Sequence, residues 1–386
     1  MKQGWEIKKL GEICENLDSK RVPITKSSRV AGCVPYYGAS GIVDYVGDHI
    51  FNEDLLCVSE DGANLLARTY PIAFSISGKT WVNNHAHVLK FSNIITQKFV
   101  ELYLNSIKLD EYVSGMAQPK LNQTMLNKIP IPIPPLPEQE KIVSILNKAF
   151  SAIEKAKQNA ERNLKNAKEL FDSYLNRIFT NKGEDWEEKA LNKVSDIING
   201  YAFASKDFNS LNSIKSIKIT NVGVKKFIPD VDNYLPNEYK TKYCDYQVKT
   251  NNIVIALTRT IISDGVKVAI VPKEYNDALL NQRVAAIVVN ENIIHFQFLY
   301  HFLTSYIVEK YILANVNTLM QPNLSINDLK NILCFIPPLI TQQEIIEKLS
   351  KLSVETKNLE EIYHQKLIEL DDLKKSILQK AFNGDL

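Results

Sequence analysis

The chain has 386 residues, 45% of them hydrophobic, and a formal net charge of +2. Such a chain can bury more than one core, and its length points to two or three domains. The near-neutral charge excludes a bulk polycation, so any nucleic-acid surface must come from local segregation of charge; no run of about 18 uncharged apolar residues offers a membrane span.

The opening residues, MKQGWEIKKLGEI, lack an apolar signal core and read as mature sequence. The five cysteines are scattered without a CxxC pair, which suits free thiols in a reducing cytoplasm. Short β-branched runs broken by Gly, Asn and Asp follow, as in LLCVSEDGANLLARTYPIAFSISGKTWVNN, and then ITQKFVELYLNSIKLDEYV at helical spacing. These predict a small mixed α/β domain over residues 1–137. Ile133-Pro134-Pro135-Leu136 then leads into a long helix predicted over 138–182, with Pro137 at its start, where a missing N–H costs nothing. Apolar or small residues recur at Ile142, Leu146, Ala149, Ile153, Ala156, Ala160, Ala167, Leu170 and Tyr174, with Asn163 filling one place. Steps alternating four and three are a coiled-coil seam.

At Asp185 the pattern starts again. DWEEKALNKV matches GWEIKKLGEI with Trp186 on Trp5, an offset of 181. A second mixed domain is predicted over 183–340. Near its end Gln321-Pro322 falls on Gln118-Pro119, and Ile336-Pro337-Pro338-Leu339 repeats the proline joint at an offset of 203 (336 against 133). A second long helix is predicted over 341–386, opened by a capping box of Thr341 with Glu344. Its seam is Ile345, Leu349, Leu352, Thr356, Leu359, Tyr363, Leu370, Leu373 and Ile377, with Lys366 opposite Asn163. The fold class is therefore α+β: two mixed α/β domains separated by a long antiparallel two-helix coiled coil, with a pseudo-twofold repeat. Antiparallel helices are expected because a helix of about 40 residues is about 60 Å long. A domain of about 150 residues has a radius of gyration of only about 15 Å, so it can hand the chain only to a neighbouring helix end.

Two unlike heads on one ruler suit two short words a fixed distance apart, since B-DNA presents the same face every 34–36 Å or so. The paired joints IPPLPEQEKI and IPPLITQQEI, the GW and DW repeat starts, the long helices, and YYGASGIVDYVGDHIFNEDLLCVSEDGAN with SGKTWVNNHAHVL resemble the specificity subunit of type I restriction–modification systems. The resemblance covers essentially the whole chain. It implies that each variable domain is a target recognition domain for one half of a bipartite, asymmetric double-stranded DNA site. It implies that the helices set the gap and dock two modification (methyltransferase) subunits, which restriction subunits join. S-adenosylmethionine, ATP and Mg are then expected on those partners, with no cofactor or metal in this chain and a cytoplasmic location.

The residues themselves offer no catalytic constellation. An adenine methyltransferase needs (N/D)PP(Y/F), but both Pro-Pro pairs lie between Ile and Leu. Ala73-x4-Gly78-Lys79-Thr80 lacks the first glycine of a phosphate loop, and TWVNN rather than a helix follows it. His85-x-His87 has no third metal ligand at a telling spacing. Base reading calls for Arg, Lys, Asn, Gln and small hydroxyls on loops. The DNA-binding candidates are Tyr36, Tyr37, Ser40, Asn64, Arg68, Lys79, Asn83, Asn84 and His85 in the first domain. In the second they are Lys218, Thr220, Asn221, Lys225, Lys226, Arg259, Asn281, Gln282 and Arg283. The alternative reading is a protein-interaction adaptor built on a coiled-coil rod, which salt-insensitive binding would distinguish from DNA recognition.

Overall fold

The computed structural model describes residues 3–115, 117–230, 234–316 and 322–386. It divides into a first unit, Met1–Glu161 with His364–Leu386, and a second unit, Arg162–Tyr363.

The first unit runs β1 (Glu6–Lys9), α1 (Leu10–Ile13), β2 (Glu15–Asn16), β3 (Ala31–Gly38), β4 (Gly41–Val46), β5 (Phe51–Asn52), β6 (Leu55–Ser59), α2 (Asn64–Ala67), β7 (Ala73–Ile76), β8 (Lys79–Val82), β9 (Ala86–Lys90), α3 (Ile94–Ser106), α4 (Gln123–Asn127) and β10 (Pro130–Ile133). Two four-stranded sheets form, in the orders β2-β9-β6-β7 and β4-β3-β8-β5. Strand β6, LLCVS, is buried at every residue because both faces of its sheet are covered. Its side chains alternate, as the pleat requires. Leu56, Val58 and Leu89 join a core with Phe99, Val100 and Leu104 of α3. Leu55, Cys57 and Val88 join another with Phe51 and Val82 of the neighbouring sheet.

The helix α5 (Leu136–Thr180) then runs into the second unit, which continues with β11 (Glu187–Ala190), β12 (Ser195–Asn199), β13 (Ile214–Ile217), β14 (Tyr234–Leu235), α6 (Tyr239–Lys242), β15 (Ile253–Ala256), β16 (Ile261–Ile262), β17 (Gly265–Val266), β18 (Val268–Ile270), β19 (Leu279–Leu280), β20 (Val284–Val289), α7 (Phe296–Leu303), α8 (Tyr306–Asn315), α9 (Ile326–Lys330) and β21 (Leu333–Ile336). Its four-stranded sheet is β12-β20-β15-β18. Ile253, Ile255, Ala285 and Ile287 face Phe298, Leu299 and Phe302 of α7, while Val254, Ala256, Val284 and Ala286 face Ile217, Val222 and Leu280. The two units are thus the same construction from dissimilar sequence.

Each proline joint is an antiparallel ribbon that launches a helix: β1 on β10 with Glu6 opposite Ile133, and β11 on β21 with Glu187 opposite Ile336. The second launched helix is α10 (Leu339–Asn383). Both helices begin earlier than the periodicity suggests, so Thr341 lies inside the first turn of α10 and the predicted Thr341–Glu344 capping box does not form. A matched pair of buried glutamines instead ties each helix start back to its proline joint. Gln139 Nε2 donates to the Pro134 carbonyl at 2.8 Å, and Gln342 Nε2 to the Pro337 carbonyl at 2.9 Å. Gln342 also donates to the Ile293 carbonyl at 3.0 Å and accepts from His295 N at 2.8 Å.

In the first unit the helix stretches run antiparallel. Lys141 Nζ reaches the Leu386 carbonyl at 3.4 Å, and Lys157 pairs with Asp371. The seam is buried at Ile142, Leu146, Ile153 and Ala160. Of the other predicted seam positions, Leu170 is 46% exposed and the partly buried Phe171 takes its place, while Lys366 and Leu373 face solvent.

An aromatic cluster closes each unit. In the first, Phe382 of α10 stands edge-on to Phe99 at 5.4 Å and Tyr103 at 5.1 Å, with Trp5 against Phe99 at 6.3 Å. In the second, Phe179 of α5 stands edge-on to Phe298 at 5.5 Å and Phe302 at 5.2 Å, with Trp186 against Phe298 at 6.0 Å. Phe179 and Phe382 are the 203-residue pair, and Trp5 and Trp186 the 181-residue pair. The first unit is therefore completed by residues far along the chain, and the second by the end of the first long helix.

Candidate nucleic-acid interface

Each unit ends its central sheet in a rim of three converging segments. In the first unit β3 and β8 run parallel, with Tyr37 opposite Val82, and Asn83-Asn84-His85 turns the chain into β9. In the second, β13 and β19 run parallel, with Ile217 opposite Leu280, and Asn281-Gln282-Arg283 turns it into β20. Four backbone bonds match in pairs. Asn83 N donates to Tyr37 O at 3.0 Å, and Asn281 N to Ile217 O at 2.9 Å. Glu60 N donates to His85 O at 2.9 Å, and Leu257 N to Arg283 O at 2.8 Å. Leu121 N donates to Glu60 O at 2.8 Å, and Leu324 N to Leu257 O at 2.9 Å. Gly62 N donates to Pro119 O at 3.0 Å, and Thr260 N to Pro322 O at 2.9 Å. Pro119 and Pro322 belong to the aligned Gln-Pro pairs; Gln321 lies outside the described residues. Two of the sequence-predicted triplets therefore occupy equivalent places, at an offset of 198 (281 against 83).

The side chains on the two rims differ. In the first, His85 Nδ1 lies 2.7 Å from Asp61 Oδ2 at the surface. Behind it sits a buried ionic cluster. His87 Nδ1 meets Asp18 Oδ2 at 2.6 Å and Nε2 meets the Leu121 carbonyl at 2.7 Å, so both ring nitrogens are engaged. Arg21 Nη1 donates to Glu60 Oε2 at 2.6 Å and to the Ala86 carbonyl at 2.8 Å. Burial opposes the charge of Asp18, but the His87 bond and charge outweigh it and hold its carboxyl below the usual range. Burial likewise opposes the charge of Glu60, and the Arg21 bond with the His87 and Arg21 charges prevails. Asp18, Glu60 and His87 have the composition of a metal site. The ring nitrogens are already committed and the Arg21 guanidinium fills the space between the carboxylates, so the cluster is an ion network that braces the rim. His85 and His87 do not come together. In the second unit, Arg259 and Arg283 are exposed and Lys267 is half-buried. Burial first, and then the nearby Arg259 charge, push the Lys267 ammonium below its ordinary value.

Several candidates make contacts within the protein. Tyr36 is 1% exposed, lies under the Arg29 guanidinium at 4.4 Å and bonds Ile24 N at 3.1 Å. Asn64 is buried and accepts from Thr69 N, Thr69 Oγ1 and Tyr70 N. Arg68 caps α2 in the left-handed conformation and donates to the carbonyls of Leu104 and Ile107. Asn221 is 1% exposed, accepting from Lys218 N and donating to Ile228 O. Asn83 shapes its turn by accepting from His85 N at 2.8 Å. Tyr37 stacks on Phe74 at 5.9 Å, Lys218 lies 3.7 Å over the Phe208 ring, and Lys225 pairs with Asp172 at 2.5 Å. Ser40, Lys79, Asn84, His85, Thr220, Lys226, Arg259, Gln282 and Arg283 are exposed, and Asn281 is half-buried. Lys79 begins β8 straight after a Gly78 turn with φ 69, with no helix beyond, so the phosphate-loop pattern is a strand connection. Sequence reasoning missed Asp61 and the bracing cluster; the 198-residue offset between NNH and NQR was the available signal for the rim.

Residues 2–162 and 183–370 match the family model of the type I restriction modification DNA specificity domain. A Haemophilus influenzae protein carrying a type I restriction enzyme specificity-subunit name is 30% identical over 92% of this chain and 89% of its own length. The MjaVIII type I restriction enzyme specificity subunit of Methanocaldococcus jannaschii is 27% identical over 100% of this chain and 93% of its own. Among solved structures, the HsdS subunit from Thermoanaerobacter tengcongensis superposes with a TM-score of 0.67 at 18% identity, over 100% of this chain and 98% of that one. A chain from a study of complex assembly and conformational transition in the type I R-M system reaches 0.71, also at 18%, over 100% and 99%. Two copies of one scaffold, bearing unlike rims and matched by the family model across both, make this chain a member of the type I restriction–modification specificity-subunit family.

Proposed function

We propose that this chain is the non-catalytic DNA-recognition subunit of a type I restriction–modification complex, each unit reading one half of a bipartite, asymmetric duplex site. The carrying observation is the pair of rims, built on one backbone pattern but presenting His85 with Asp61 in one unit and Arg259 with Arg283 in the other. One scaffold with two chemistries is what reading two different words requires. The proposed contact set is Ser40, Lys79, Asn84 and His85 in the first unit and Thr220, Lys226, Arg259, Gln282 and Arg283 in the second. In this reading α5 and α10 set the gap between the words and dock two modification subunits, and restriction subunits join them. S-adenosylmethionine, ATP and Mg then belong to those partners. The near-neutral net charge suits a reader whose phosphate contacts are shared with its partners.

Methylation mapping in the source cell gives the site, and binding to duplexes carrying it tests the assignment. Affinity is expected to collapse when the gap grows by one base pair and to fall steeply with salt. Binding indifferent to both the gap and salt overturns the reading in favour of a protein adaptor.

A further inference from the structure

Six non-glycine residues hold a positive φ among the described residues: Arg68, Lys225, Asn251, Arg259, Asp277 and Arg283. Such a conformation disfavours most side chains and persists only where something compensates. For four of them the reason is visible. Arg68 bonds two carbonyls, Lys225 pairs with Asp172, and Asp277 pairs with Lys240 and Lys249. Asn251 is a residue type that tolerates this region. Arg259 (φ 47) and Arg283 (φ 72) are left. Both are exposed, and neither side chain makes a hydrogen bond or ion pair with any described residue.

These two lie at the same end of one sheet, where Leu257 N donates to Arg283 O. Arg283 is the third residue of a turn closed by Val284 N on Asn281 O at 3.3 Å. Gln282 N donates to Tyr201 O at 2.8 Å, and Asn281 N to Ile217 O. Tyr201 can come so close because Gly200 precedes it; a Cβ there would lie 2.0 Å from the Asn281 carbonyl oxygen. The turn is therefore held on three sides by backbone bonds while its one strained side chain is left free. A rigid mount with an unpaired planar cation is the arrangement for forked recognition of a pair of acceptors. The position equivalent to Arg283 in the first unit is His85, whose partner is Asp61, so the first rim offers no free guanidinium there.

We propose that Arg283 is a specificity-determining residue of the second unit, reading the O6 and N7 edge of a guanine in the major groove, with Arg259 flanking it. This rests on the DNA-reading assignment above. A bidentate arginine–guanine contact discriminates against other bases by about 10–100-fold.

The test uses the full chain with its modification subunits and a pool of randomised duplex DNA. The wild type is expected to enrich one two-part sequence. Scanning its guanines with 7-deazaguanine, which lacks the N7 acceptor, is expected to find one position where binding weakens about tenfold. Arg283→Gly relieves the backbone strain, so its unfolding midpoint is expected at or above that of the wild type. It is nevertheless expected to lose selectivity at that one base pair, to be indifferent to 7-deazaguanine there, and to read the other half-site unchanged. Uniform weakening of every sequence by Arg283→Gly means a phosphate contact and overturns the proposal. So does a deaza scan with no position coupled to Arg283. Failure to enrich any sequence brings down the DNA-reading assignment itself, whereas an enriched site uncoupled from Arg283 removes only this inference.

Discussion

Removing the Phe382 ring tests how the first unit is closed. Phe382 lies more than 270 residues beyond Phe99 and Tyr103 in sequence, yet stands edge-on to both. Phe→Ala in a core costs about 3–5 kcal/mol, and Phe382 is only partly buried, so Phe382→Ala is expected to cost about 2 kcal/mol. Its counterpart Phe179 is 1% exposed with three ring partners, so Phe179→Ala belongs at the full 3–5 kcal/mol. For a unit of roughly 200 residues, each kcal/mol moves the midpoint by about 2–4 °C. The Phe382 variant should therefore melt its unit about 4–8 °C lower, and the Phe179 variant about 6–20 °C lower. Hydrogen exchange read by mass spectrometry locates the effect. Phe382→Ala should deprotect residues 94–106 and the segment around Trp5, while leaving 296–303 as protected as before. Phe179→Ala should do the reverse. If Phe382→Ala accelerates exchange only within 364–383, the closure argument is wrong.

Gln342→Ala removes three buried hydrogen bonds and leaves a backbone donor and two carbonyls without their partner, so a loss of about 3 kcal/mol is expected in chemical unfolding. Gln139→Ala breaks one such bond, and the Gln139 Oε1 has no partner among the described residues, so its loss should be nearer 1 kcal/mol. Burial pushes the His301 imidazole down to about 4 from 6.5. The unfolded chain takes up that proton as pH falls through 6.5 while the folded one refuses it until about 4. Stability of the second unit should therefore drop by about 3 kcal/mol across that window and then level off. Urea titrations should show this slope in the wild type and lose it in His301→Phe. A circular permutant that begins at Asp185 and joins Leu386 to Met1 by a short linker should fold and select the same DNA, because Phe382 and Trp5 already share one cluster on Phe99. A permutant that stays unfolded, beside a folded control with the same linker inserted in a loop, would count against that proximity.

The architecture was readable because repetition left three marks at fixed spacing: the tryptophans, the proline joints and the helix seam. Long periodic helices are specified by local pattern, and both form, each beginning two residues before its predicted start. What failed was local detail. The helix starts at Leu339 rather than Thr341, and its first turn is tied to the proline joint by a buried glutamine bonded to a carbonyl five residues back, which periodicity does not encode. Leu170 gave way to Phe171 on the buried face, since a helix of 3.6 residues per turn drifts off a strict heptad. In the candidate interface, residue type alone could not separate Asn64 and Asn221, which satisfy their own turns, from Asn84 and Gln282, which face solvent. That distinction depends on which backbone groups lie nearby, and only the fold supplies it. The His85–Arg283 equivalence was visible in principle, but it sits at its own offset because the connections before each rim differ in length.

The wedging of Phe382 and Ala381 into the first unit has a bearing on biosynthesis. While that unit emerges from the ribosome, the groove beside Phe99 and Tyr103 stays open, and it can shut only after some 280 further residues have been translated. Until then its sheets must hold together without their last buttress. A message broken anywhere in between would yield a head with an unsealed apolar flank, marked for proteolysis before it could compete for DNA.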